Sequence, residues 1–134
     1  MKETLLPIVV IVALSIHGLA GVFWAGTTFT LARTGGVAGE RLFRPQMGAA
    51  VFAILAGAYL WSLTHPQTGV LAVGAAAAIV AAGVQGAVGG RAVRGLRRGV
   101  IAEAAARARI AVAQRIASGL LAVTIISMMA ASHV

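Results

Sequence analysis

The 134-residue chain contains no cysteine, which excludes disulfides, thiolate zinc sites, iron–sulfur clusters and haem attachment through Cys-x-x-Cys. Any metal it holds must be bound by His, Met, carboxylate or carbonyl groups. Acidic residues number three, and all of them fall at or outside the ends of apolar runs. No carboxylate pair is therefore placed for acid–base work inside such a run. Also missing are a Walker-type phosphate loop, a nucleophile elbow and an H-E-x-x-H zinc motif. Charged residues make up 10% of the chain, against about 25% in an average soluble domain. What replaces them is apolar: 60% of residues are hydrophobic and the mean hydropathy is +0.95. A soluble domain of this length could not hide so much apolar surface, so the composition predicts an integral membrane protein.

A hydrocarbon core of ~30 Å takes about 20 apolar residues per helix, which leaves room for four spans and short loops in a single domain, 1–134. The apolar runs predict helices over about 4–32, 45–64, 70–89 and 108–131. The first is read as a span and not as a cleaved leader, because apolar sequence continues past the small residues Gly18-Leu19-Ala20. The second opens at Arg44-Pro45 and stops at the turn His65-Pro66-Gln67-Thr68-Gly69, with Tyr59 and Trp61 placed as an interfacial belt. The third carries Ala82, Gly86 and Gly90 at intervals of four, a small-residue stripe that lets a neighbouring helix approach. The fold class expected is all-α, an antiparallel bundle of four transmembrane helices.

Charge sets the expected orientation. The connection between the first two spans carries Arg33, Arg41 and Arg44, and residues 90–107 read as an arginine-rich loop whose alanine-rich second half would lie as a helix along the membrane surface. The opposite side has Lys2 alone. Because translocated loops are poor in Lys and Arg, both termini and the His65 turn are expected on the periplasmic side of a bacterial-type inner membrane, with the arginines in the cytoplasm. A net charge of +8 would suggest nucleic acid in a soluble protein. Here it points to anionic lipid headgroups, and nucleic acid is not an expected partner. The small residues of the first and third spans support a homodimer or a place in a larger membrane complex.

His17 is the residue most suggestive of chemistry, since it falls near the middle of the first span, where an ionisable side chain is costly and marks a functional site by default. Trp24 lies two helical turns further on the same face, with Gly21 between them. A histidine beside small residues has the room that a flat macrocycle needs. The alternative is a neutral histidine hydrogen-bonded to a neighbouring helix.

The segment His17-Gly-Leu-Ala-Gly-Val-Phe-Trp24-Ala-Gly26 resembles the first-helix signature, His-x6-Trp followed closely by Gly, of the copper resistance protein D family. It is also similar to the first helix of HemJ-type protoporphyrinogen oxidases, four-helix membrane proteins in which such a histidine is implicated in haem b binding. The resemblance implies haem b or copper as cofactor, with His17 as the ligand. The chain departs from the HemJ pattern in having no lysine except Lys2.

Two further groups are candidates. His65 and His133, at the outward ends of the second and fourth spans, join Met128 and Met129 as a Met/His set of the kind that suits cuprous copper; ordinary histidines at helix ends are the alternative. Gln85, Gln114 and Arg115 are candidate cofactor contacts, Arg115 as a bidentate partner for a carboxylate, although Gln114 also reads as interhelical glue with Ser118, and Arg115 as a snorkelling side chain. The functional expectation is a membrane redox or metal-handling protein. A non-catalytic assembly subunit and a transporter of copper or a small solute are the competing readings.

Overall fold

The computed structural model describes residues 2–64 and 69–133. Helix α1 (Lys2–Arg33) is followed by α2 (Gly39–Thr64) and α3 (Gly69–Val84); α3 passes through a π-helical turn (Gln85–Gly89) into α4 (Gly90–Arg97), and α5 (Glu103–Ala131) closes the bundle. Four helical segments, Lys2–Arg33, Gly39–Thr64, Gly69–Arg97 and Glu103–Ala131, are long and apolar enough to cross a membrane. This is the architecture of a multi-pass membrane protein. α1 packs along α2 and α3 along α5, and the two pairs meet chiefly through α1 and α5.

The turns at the arginine end are built by glycine. Gly35 and Gly36 have positive φ, and the Gly36 N–H donates to the Leu31 carbonyl at 3.0 Å, the six-to-one closure of a helix C-terminus that needs a left-handed residue. Gly36 also lies against α5, where an added Cβ would stand 2.6 Å from the Arg107 carbonyl oxygen. α4 ends in the same way: Gly99 has φ +68° and the Val100 N–H donates to the Gly95 carbonyl at 3.0 Å.

The helix limits correct the expectation for residues 90–107. The arginine density predicts a loop, but helix continues to Arg97 and resumes at Glu103, leaving residues 98–102 between them. The reason is a small second core: Ala92 and Val93 of α4 are buried against Ile110 of α5, with Phe43 of α2 beside them. The alanine-rich stretch is accordingly the first turns of α5 and not a separate surface helix. α2 likewise starts at Gly39 and not at Pro45, because its first turn packs on α5, with Gly39 against Ile110.

The π turn sets which residues follow α3 into the core. It turns Gly89 and Gly90 inward, where Phe43 lies close to both, and leaves Val88 exposed. Of the expected small-residue stripe, Gly86 lies near the Met47 side chain and Gly90 near that of Phe43, both from α2. The main core lies around Trp24, with Ala49, Ala50 and Ala53 of α2, Ala78 and Ala81 of α3, and Ala117 and Leu121 of α5.

Burial is uneven along the bundle. Between Lys2 and Phe23, α1 buries only Ala13, and α2 buries nothing after Ala53. α3 and α5 stay in contact beyond that level, with the Thr124 hydroxyl donating to the Gly74 carbonyl at 2.9 Å. The bundle is therefore closed on all sides at the arginine end and held as two helix pairs towards the other.

Candidate functional site

His17 occupies the transition between those halves. It is half-buried on the stripe of α1 that also carries Ala13, Trp24 and Thr28. The Nδ1–Cε1 edge of its ring lies against α2 at Gly57, where an added Cβ would stand 2.9 Å from Cε1 and would have to displace the ring. The Nδ1–H donates to the Ala53 carbonyl at 2.7 Å. A carbonyl can only accept, so this bond fixes the tautomer: a neutral ring has its lone pair on Nε2. A backbone carbonyl on the other ring nitrogen is the usual orienting partner of a metal-ligating histidine.

About 10 Å along α1 from His17, at 1.5 Å per residue, Trp24 begins a buried polar cluster. Its indole Nε1–H donates to Gln85 Oε1 at 2.7 Å. Gln85 Nε2 donates to the Thr28 hydroxyl oxygen at 2.8 Å and to Gln114 Oε1 at 2.9 Å. Gln46 Nε2 donates to the same hydroxyl at 3.2 Å and to Gln114 Oε1 at 3.1 Å, and Gln114 Nε2 returns a bond to Gln46 Oε1 at 3.0 Å. The Thr28 hydroxyl donates its own proton to the Trp24 carbonyl at 2.7 Å. All five side chains are buried. Two groups from α1, one amide from α2, one from the π turn and one from α5 thus satisfy each other.

The π turn is part of this arrangement. Such a turn inserts a residue into the helix and is often found where function demands it; here it begins at Gln85, whose amide bonds to both α1 and α5. The cluster lies near the arginine end, since exposed Arg44 and Arg115 are within two residues of Gln46 and Gln114.

The expected cofactor contacts therefore separate. Trp24, Gln85 and Gln114 come together, but with their polar groups turned to one another; Gln114 is interhelical glue, and its partners are Gln46 and Gln85, while Ser118 bonds the Arg115 carbonyl at 2.8 Å. Gly21 is half-buried on the His17 face, and a Cβ added there would meet nothing within 4 Å. Arg115 is exposed beside the cluster and forms no ion pair with a described residue. Met129 is 66% exposed, and His133 Nδ1 lies 2.9 Å from the Ser132 hydroxyl and 3.0 Å from the Met129 carbonyl at the end of α5. His65 lies outside the described residues. Among the described residues no group of three His, Asp or Glu side chains is placed to hold a metal ion.

Gln46 and Thr28 belong to the cluster without standing out in the sequence, although a signal exists. Three of the four apolar spans contain one amide side chain close to the arginine-rich end, and amides at equal depth in packed helices find one another. No family model, curated protein or solved structure matches the chain.

Proposed function

We propose that this chain is a multi-pass membrane protein that binds haem b or copper through Nε2 of His17, in a redox or metal-handling role. The observation that carries this reading is the Nδ1–H bond to the Ala53 carbonyl, which in the neutral ring leaves the lone pair on Nε2. The position of His17, where α1 and α2 lose their buried contacts with the rest of the bundle, also supports it, since a ligand enters a helix bundle most easily where packing is open. His17 is the residue that fits the group. Trp24, Gln85 and Gln114 bond to one another and supply no free ligand atom. The bound group would supply the electron transfer, while the chain fixes the orientation of the imidazole and the polarity around it. Charge asymmetry supports an orientation with the arginine end in the cytoplasm of a bacterial-type inner membrane and the His17 half towards the periplasm.

The test is an oxidised-minus-reduced visible spectrum of the purified protein together with its copper content. A haem b spectrum or stoichiometric copper that is lost in His17→Ala supports the reading. A featureless spectrum and no copper after expression with ample supply of both overturns it. A second reading, a non-catalytic assembly subunit, is favoured by the glutamine cluster, which joins all the spans without leaving a group for a ligand; co-purification of a stoichiometric partner without a cofactor would establish it.

A further inference from the structure

Two shallow grooves run between α1 and α2 on the half of the bundle away from the arginines, with volumes of about 360 and 430 Å³. They share Val9 and Tyr59, so they form one furrow. Its mouth is lined by Lys2 and Tyr59, and its floor descends past Val12 and Leu55 to Ile16 and Phe52. From Leu5 to Ile16 the apolar part extends ~16 Å at 1.5 Å per residue, about the depth of one leaflet in a hydrocarbon core of ~30 Å.

We propose that this furrow is a specific phospholipid site, taking one acyl chain of an anionic phospholipid along α1 and α2 with its phosphate on Lys2. The charge at the mouth selects the headgroup. Lys2 lines the furrow and Glu3 does not, and Lys2 forms no ion pair with a described residue. It carries the one Lys or Arg charge among the described residues at this end of the bundle, which favours an anionic headgroup there. The Tyr59 side chain, 44% exposed, stands beside it at the level where a phenol bridges apolar and polar layers. The furrow's interior selects the tail. Its walls below Tyr59 are aliphatic and aromatic, and no donor lines them to meet the carbonyl of a quinone head. A phospholipid, polar at the mouth and apolar below, matches both parts.

The experiment is native mass spectrometry of the full chain, delipidated and then titrated with phosphatidylglycerol, phosphatidylcholine or ubiquinone. One phosphatidylglycerol should bind in preference to phosphatidylcholine, and Lys2→Gln should weaken it about fivefold, the effect of roughly one basic residue near a membrane surface, and so narrow its preference over zwitterionic phosphatidylcholine. Ala56→Phe, which fills the furrow wall, should weaken phosphatidylglycerol about tenfold or more; Val9→Trp is the second filling variant, and circular dichroism confirms that each is folded. Val112→Phe, on the exposed face of α5, should change nothing. The proposal is overturned if both filling variants bind like the parent chain, if Val112→Phe weakens binding as much as they do, if the three lipids bind alike, or if ubiquinone displaces phosphatidylglycerol.

Discussion

The two halves of this bundle solve the same problem differently. Towards the arginines, the spans are bound together by three amides, an indole and a hydroxyl, and by a small apolar core that continues beyond them. Away from the arginines, the helices run as two pairs, α1 with α2 and α3 with α5, and polar contacts are local: His17 to Ala53 in one pair, Thr124 to Gly74 in the other. In a membrane, where apolar contact alone distinguishes helix from lipid poorly, a buried amide network fixes one arrangement of helices. The half without such a network is the half that carries His17, where the proposed ligand would bind. Rigidity and access are thus divided along the membrane normal.

The largest expected effect comes from Trp24→Ala, which removes the centre of the main core and the indole donor together. A loss of about 3–5 kcal/mol is expected, read as a lower midpoint in detergent-denaturation followed by circular dichroism. Next is Gln85→Leu, which keeps the volume but leaves the buried Trp24 Nε1–H without an acceptor. Its expected cost is about 1–3 kcal/mol, and restoring the acceptor with Gln85→Glu should recover less than the parent stability, because a carboxyl group cannot supply both bonds donated by the amide nitrogen. The smallest effect on stability is expected for His17→Ala, about 0.6 kcal/mol, the average of interhelical hydrogen bonds measured within membranes. That same variant should lose all bound haem or copper. Gly57→Leu should match it in cofactor loss, since its side chain takes the place of the imidazole. If His17→Ala destabilised the chain as much as Gln85→Leu does, the division between a holding half and a binding half would be wrong.

The four spans are legible from hydropathy because lipid permits few alternatives to a continuous helix. The arginine-rich stretch is less so: charge argues for a loop, while the deciding contacts, Ala92 and Val93 on Ile110 and Phe43, join residues far apart in sequence. His17 and Trp24 stand out as polar and aromatic groups within one apolar run, and their shared face follows from helical spacing. That Trp24 spends its one donor on Gln85, and that Gln46 belongs with them, depends on which helices are neighbours. The π turn has no sequence mark of its own. It follows from Gln85 reaching inward and from the glycine pair after it, which tolerates facing Phe43.

The glutamine cluster also bears on how the chain is made. Synthesis delivers α1 and α2 to the membrane first, then α3 and α4, and α5 only afterwards. Until Gln114 arrives, the amides of Gln46 and Gln85 lack their common acceptor, and the α1–α2 turn lacks the α5 backbone against which Gly36 rests. An incompletely inserted chain therefore shows polar groups to lipid that the finished one conceals. The packing of α5 is thus the step that gives the two earlier amides their shared acceptor.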